Sequence, residues 1–218
     1  MCGIAGFYGS FEPSLLSDMN LAQAHRGPDD SGVWYDKTCR VGLAHQRLSI
    51  RDLSPAGHQP LFSKRKDVSI IYNGEIYNTE DFYNELVMDG YHFTGTSDTE
   101  VILNLYLKYG FEILSKLNGI FAFAIWDSRN KQLFLARDGM GVKPLYYSET
   151  SKGFIFASEI KSLLKESSVS RKINPVALAS HITYLWSPAP STMLKSVQKL
   201  EPGFAMVILE GKVKKKLH

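Results

Sequence analysis

Position two of the chain is a cysteine, and there a thiol and a free α-amine can come to belong to one residue. Aminopeptidase removal of Met1 needs a small second residue. Cysteine is small enough, so the processed chain is expected to begin at Cys2. The ordinary pKa values are about 8.5 for the thiol and roughly 7.7–8.0 for the amine. Moving the proton from sulfur to nitrogen therefore costs only about 1 kcal/mol. Such a residue is a nucleophile with its own base, the logic of enzymes with an N-terminal threonine. Taken alone, a cysteine at position two is more often incidental.

Its neighbours add weight to the chemical reading. Gly3 and Gly6 flank the thiol in Cys2-Gly3-Ile4-Ala5-Gly6, and glycines let another backbone or a substrate approach closely. Polar clusters follow at His25-Arg26-Gly27-Pro28-Asp29, His45-Gln46-Arg47-Leu48-Ser49-Ile50, Tyr72-Asn73-Gly74-Glu75 and Gly95-Thr96-Ser97-Asp98. Each lies at the edge of a predicted strand or helix, and each taken singly reads as a turn. Asn-Gly at 73–74 is the strongest short signal for a hairpin turn. His25, His45 and His58 lack metal-ligand spacing, and neither Cys2 nor Cys39 has a Cys-x-x-Cys partner.

The elements that must position these residues alternate along the chain. Val68–Tyr72, Gly119–Trp126, Gln132–Ala136, Leu145–Tyr147, Gly153–Ala157 and Ala205–Leu209 read as strands, rich in β-branched and aromatic residues. Helices are predicted over Pro13–Gln23, Thr79–Met88, Asp98–Tyr109, Phe111–Leu117, Glu159–Leu164 and Asn174–Tyr184. Ser97 and Glu100 form a capping box for the third of these, and Gly110 stops it. An acid at the start of a helix is favoured by the dipole, which would explain Asp98 without any ligand. Strands in pairs with helices between the pairs point to largely antiparallel sheets covered by helices.

The 218 residues suit one large domain or two small ones, long enough to fold without disulfides or metal. The longest apolar stretch, Ile120–Trp126, is far short of the roughly 20 residues that cross a bilayer. No signal peptide is evident, and two cysteines cannot make a secreted disulfide framework, so a cytoplasmic location is expected. The chain carries 25 Lys and Arg against 22 Asp and Glu, for a net charge of +3. Lys212, Lys214, Lys215 and Lys216 lie in the last seven residues; without them the body is close to neutral, and no basic groove for nucleic acid is supported.

In this order and spacing the polar clusters resemble the glutaminase domain of class II glutamine amidotransferases, and within that group the glutamine-hydrolysing asparagine synthetases most of all. Leu53–Pro60, Phe121–Asp127, Arg137-Asp138 with Gly141–Tyr146, and Ala157–Leu163 fit the same family, so the likeness covers nearly the whole chain. It implies an α/β (α+β) fold: the four-layer αββα sandwich of N-terminal-nucleophile hydrolases, with two mainly antiparallel sheets. It further implies that Cys2 attacks the carboxamide of L-glutamine, giving glutamate and ammonia through a γ-glutamyl thioester. Asn73, by its side-chain amide, and Gly74, by its backbone N–H, match the oxyanion hole. Arg47 matches the holder of the substrate α-carboxylate, a task suited to a planar guanidinium; outside the motif it would read as a solvated surface residue. Glu75 and Asp98 match the acids around the α-ammonium, and Leu48, Ser49, Ile50 and Arg51 the run beside them. Position 51 carries Arg where the family usually has an aliphatic residue, and Gly139-Met140 departs from common forms of that loop.

The resemblance implies no cofactor and no metal in this domain. ATP and Mg belong to a synthetase domain or subunit, in cis or in trans, that would use the ammonia. Neither its Ser-Gly-Gly-x-Asp-Ser loop nor a Walker-type loop occurs here. The expectation is a glutaminase domain over residues 1–211, with 212–218 a basic tail or the start of a linker. The expected partners are L-glutamine and the synthetase, with no nucleic acid and no membrane; a homodimer is compatible with this. Two other readings stay open: a non-catalytic module that senses glutamine or docks a partner, and a different N-terminal-nucleophile amidase.

Overall fold

In a computed structural model, which describes residues 1–217, the chain forms β1 (Gly3–Gly9), β2 (Asp30–Asp36), β3 (Val41–Arg47), β4 (Leu61–Phe62), β5 (Val68–Ile76), β6 (Gly119–Asp127), β7 (Gln132–Arg137), β8 (Tyr146–Thr150), β9 (Gly153–Ala157), β10 (Gln198–Lys199), β11 (Ala205–Leu209) and β12 (Lys212–Leu217). The α-helices are α1 (Ser14–Leu21), α2 (Thr79–Met88), α3 (Asp98–Tyr109), α4 (Ile160–Leu163) and α5 (Pro175–Tyr184). Two six-stranded sheets result, ordered β10-β8-β9-β1-β3-β2 and β12-β11-β7-β6-β5-β4. Among the described residues every strand pairing is antiparallel.

Strand period two sorts the side chains into three apolar layers. Ile4 and Tyr8 of β1, Ile71 of β5, Ala122, Ala124 and Trp126 of β6, and Phe154 and Phe156 of β9 fill the space between the sheets. The alternate residues Ala5, Phe7, Ile155 and Ala157 turn outward onto Leu15, Leu16 and Met19 of α1 and Leu163 of α4. On the other sheet Ile70, Phe121, Phe123, Ile125 and Phe134 turn outward onto α3, with Val101, Ile102, Leu105 and Tyr106, and onto Leu86 of α2. The layers run helix, sheet, sheet, helix, as the resemblance implies.

The strongest helical signals hold. The α2 and α3 bounds match the sequence reading, and Asn174 caps α5 by accepting from the Ala177 N–H at 3.3 Å, with Pro175 in the first turn. Gly110 ends α3 at a φ of +58°, a conformation costly for residues with a Cβ. The stretch expected to form a helix at Phe111–Leu117 is a 3-10 segment, Gly110–Ser115.

Three expectations are corrected. The strands β1, β2 and β3 had no signal in the sequence reading. All seven β3 residues are buried because sheet and helix cover both faces, so the polar–apolar alternation is missing. Asn73 and Gly74 form no turn: β5 runs on to Ile76, and they pair with Ala122 and Phe121 of β6. The basic residues 212–217 are not a tail but the edge strand β12, paired with β11. Lysines suit a sheet edge because they discourage further strand addition.

Phe156 is fully buried between the sheets. Replacing it with Ala should destabilise the fold by about 3–5 kcal/mol, read from chemical denaturation.

Candidate functional site

The thiol side of Cys2 follows from its register. It lies two residues before Ile4 and so continues the face of β1 that looks toward the other sheet. Its Sγ meets the main chain just past β3: the Leu48 N–H lies 3.4 Å away and donates to it, and the Leu48 carbonyl lies 3.7 Å away. Burial pushes the thiol pKa up; the Leu48 N–H, the N-terminal charge and Arg47 pull it down, without cancelling the rise. The resting sulfur is therefore a thiol, and attack requires a base. The Cys2 carbonyl accepts from Arg26 Nε at 2.9 Å, while Arg26 Nη1 reaches Glu159 at 3.1 Å. Arg26 thus clamps the backbone of Cys2. His25 Nε2 lies 2.8 Å from the same carboxylate.

Asn73 belongs to the same inter-sheet face as Ile71 of β5, so it points toward the face that carries Cys2. It is 1% exposed, and its Nδ2 has no hydrogen-bond partner among the described residues. A buried unpaired donor costs about 1–3 kcal/mol, so its retention requires a reason.

The Gly74 N–H is freed by strand geometry. In an antiparallel ladder, alternate residues aim their backbone groups at opposite neighbours. Tyr77 N–H donates to the Asn118 carbonyl and Ser128 N–H to the Asp67 carbonyl, so the odd-numbered residues of β5 bond to β6. The even-numbered residues face the other edge, where β4 pairs only with Ser69 and Ile70. Beyond that, the Tyr72 N–H is taken by Gln59 Oε1 at 2.6 Å, its carbonyl by His45 Nε2 at 3.1 Å, and the Ile76 N–H by Asp98 Oδ2 at 3.2 Å. Gly74 lies between them with its N–H aimed into the cleft. A side chain there would overlap the Ile120 carbonyl and approach Phe121 Cα to 2.8 Å, so the position requires glycine.

Arg47, at the end of β3, is buried. Its Nη1 donates to the Ser54 carbonyl at 3.0 Å and its Nη2 to the Asp52 carbonyl. A Cβ on Gly57 would overlap Nη2, so Gly57 makes the seat for the guanidinium. Asp52 staples this loop to the segment before α3 by accepting from Ser54 N–H and Oγ and from Thr96 N–H. The Ser54 hydroxyl foremost, then the Thr96 N–H, hold its pKa below the usual carboxylate value.

Asp98 does not cap α3. Ser97 does, accepting from the Thr99 N–H at 3.1 Å. The Asp98 carboxylate turns instead to β5, taking the Tyr72 hydroxyl at 2.7 Å as well as the Ile76 N–H. Burial raises its pKa against these bonds. Glu100 does not close the expected capping box on Ser97; it reaches further back, to the N–H groups of Thr94 and Gly95.

One cleft is lined by Cys2, Arg47, Leu48, Ile50, Arg51, Asn73, Gly74, Glu75 and Asp98. Of the sequence-predicted residues, Ser49 stands outside this lining, its N–H held by Asp29 Oδ2 at 2.8 Å. Glu75 and Ile50 are exposed at the mouth. Sequence reasoning missed Gln59, Tyr72 and Lys143, which complete the walls. Lys143 lay within the motif Gly141–Tyr146. It is placed by Asp138, which accepts from the N–H groups of Phe121 and Lys143 at 3.2 and 3.0 Å. Gln59 lay within Leu53–Pro60 and Tyr72 within the cluster at 72–75, but their roles arise from contacts between distant segments. Among the described residues no cluster of His, Cys, Asp and Glu is placed to hold a metal ion, and no helix is long and apolar enough to cross a membrane.

Two antiparallel sheets between helical layers, with Cys2, Asn73 and Gly74 lining one cleft, make the αββα sandwich that amidotransferases of the N-terminal-nucleophile fold share. The chain belongs to the glutamine amidotransferase domain family, which matches residues 1–218. Relatives include two asparagine synthetases (glutamine-hydrolyzing) of Bacillus subtilis (strain 168). Number 3 is 38% identical over 215 residues, 94% of this chain and 34% of that protein; number 1 is 40% identical over 215 residues, 95% and 33%. The chain thus spans about a third of the length of these curated relatives. In fold it is similar to the glutamine phosphoribosylpyrophosphate amidotransferase of B. subtilis, with a TM-score of 0.70 and 17% identity over 98% of this chain and 48% of that one.

His45 supplies a pH test of the scaffold. It is fully buried, and desolvation, only partly opposed by the Tyr72 carbonyl, lowers its pKa to about 3. The unfolded chain takes up this proton near pH 6.5 and the folded chain does not. Stability should therefore fall as pH drops from about 6.5 toward 3, by up to about 1.4 kcal/mol per pH unit from this group. Denaturation midpoints measured across that range should show a shallower slope in His45→Asn.

Proposed function

We propose that the chain hydrolyses L-glutamine to glutamate and ammonia through a γ-glutamyl thioester on Cys2. The observation that carries this reading is the pair of donors at the cleft of the Cys2 thiol: Asn73 Nδ2, which has no partner among the described residues, and the Gly74 N–H, which strand register turns away from β6. Both would bind most strongly to an oxygen on which negative charge develops.

Removal of Met1 exposes the α-amine of Cys2, which takes the thiol proton. The thiolate attacks the carboxamide carbon of glutamine, and the oxyanion of the tetrahedral intermediate accepts from Asn73 and Gly74. Collapse expels ammonia, which receives its proton from the α-ammonium, and leaves the thioester. Water, deprotonated by the amine, then attacks the thioester carbon, and glutamate leaves as the thiol is regenerated. Arg47, its guanidinium plane fixed by two loop carbonyls, keeps further N–H groups for the substrate α-carboxylate. Asp98, with Glu75 at the rim, faces the α-ammonium. Leu48, Ile50 and Arg51 shape the wall, and Ser49 holds that run through Asp29.

The ammonia is passed to a synthetase domain or subunit that uses ATP and Mg, with aspartate as its acceptor. The likeness to asparagine synthetases, of whose length the chain spans about a third, supports this division.

Mass spectrometry should find the chain beginning at Cys2, with one adduct there from a glutamine-like electrophile. Glutaminase activity, followed by ammonia release, should vanish in Cys2→Ala; retained activity would sink the mechanism. Asn73→Ala should lower kcat by about 10²–10³-fold with a smaller effect on KM, because its donor acts on the oxyanion.

A further inference from the structure

Arg51 is the residue of the cleft least accounted for by the hydrolysis reading. It brings a positive charge to the side of the cleft assigned to the substrate α-ammonium. Its Nη1 donates to the Ile76 carbonyl at 2.9 Å, while the N–H of the same Ile76 donates to Asp98 Oδ2 at 3.2 Å. The N–H and C=O of one strand residue project to the same edge. The guanidinium and the carboxylate therefore sit side by side along the free edge of β5. Among the described residues Arg51 has no carboxylate within ion-pair distance. Its charge is nonetheless felt at Asp98 and at Tyr72, whose hydroxyl donates to Asp98.

A second cavity adjoins the cleft. Arg51 and Ser97 line both, and Thr79, Glu80, Tyr83 and Phe93 wall the second. The guanidinium thus borders two spaces at once. Glu80, in the second cavity, is a carboxylate on the far side of Arg51 from the cleft.

We propose that Arg51 is a specificity residue, which competes with the α-ammonium of the incoming substrate for the Asp98 carboxylate and withdraws into the neighbouring cavity when that ammonium binds. The proposal rests on the reading of the cleft as a glutamine site. In the free protein Arg51 is held on Ile76 next to Asp98, and a ligand bearing an α-ammonium brings a second positive charge to that carboxylate. A ligand that has the carboxylate and carboxamide but no amino group leaves Arg51 in place. The cleft is thereby set to bind glutamine more weakly, relative to its desamino analogue, than the same cleft with an aliphatic residue at 51.

Titration calorimetry on the Cys2→Ala protein, which cannot turn over, tests this with two probes: L-glutamine and its desamino analogue glutaramate. Adding Arg51→Leu should tighten glutamine binding about three- to fivefold, the size of one charge interaction at a partly exposed site. Glutaramate binding should stay the same or weaken. Arg51→Lys, which keeps the charge, should hold the parent ratio of the two affinities, and Arg51→Gln should follow Leu, guarding against a packing defect in any one variant. Competition is overturned if Arg51→Leu leaves glutamine binding unchanged or weakens it, or if both ligands shift by the same factor. If Cys2→Ala binds neither probe while the unsubstituted chain hydrolyses glutamine, the role of Arg51 falls and the hydrolysis reading stands. If the unsubstituted chain also fails to hydrolyse glutamine, both fall.

Discussion

The site depends on how early β4 ends. This two-residue strand pairs with Ser69 and Ile70 and leaves the rest of the β5 edge without a strand neighbour. An open edge normally invites a further strand, and proteins cover or blunt such edges. Here the outward backbone groups are assigned one by one. Gln59 and His45 take those of Tyr72, and Asp98 and Arg51 take those of Ile76. Gly74, between them, is left to the cleft. A longer β4 would have consumed the Gly74 N–H in a ladder and displaced Asp98 from the strand.

The two sheets must also meet at a fixed register for this edge to face Cys2. His45 of β3 reaches across to the Tyr72 carbonyl of β5, one residue before Asn73, and ties the sheets directly beneath the site. Complete burial keeps that imidazole neutral. From the other side, Arg26 holds the Cys2 carbonyl and is itself paired with Glu159. The unpaired amide of Asn73 is one of several buried polar atoms without a partner among the described residues, and it is held in place by its strand pairing with Ala122.

Much of this was legible in the sequence where the signal is local. Ser97 and Gly110 delimit α3 because capping and a positive φ act within a few residues. The polar motifs identified most of the cleft-lining residues, including Cys2, Arg47 and Asp98. Local logic failed where a distant partner decided the outcome. Asn73-Gly74 carries the strongest hairpin signal, yet β6 pairs with both residues and holds them extended. Glu100 fits a capping box by spacing but is drawn to the Thr94 and Gly95 backbone. The lysines at 212–216 look like a tail until β11 supplies a strand to pair with.

The sequence by itself determined the chemistry on offer: a cysteine able to become N-terminal, a guanidinium, carboxylates and an Asn-Gly pair, in an order that marks the family. Tertiary structure alone decided which of their hydrogen-bonding groups remain free. That choice depends on register and on where a neighbouring strand stops, and both are set by packing between segments tens of residues apart. The same holds for Arg51, whose residue type is plain in the sequence but whose place beside Asp98 exists only because both are bonded to Ile76 on one open strand edge.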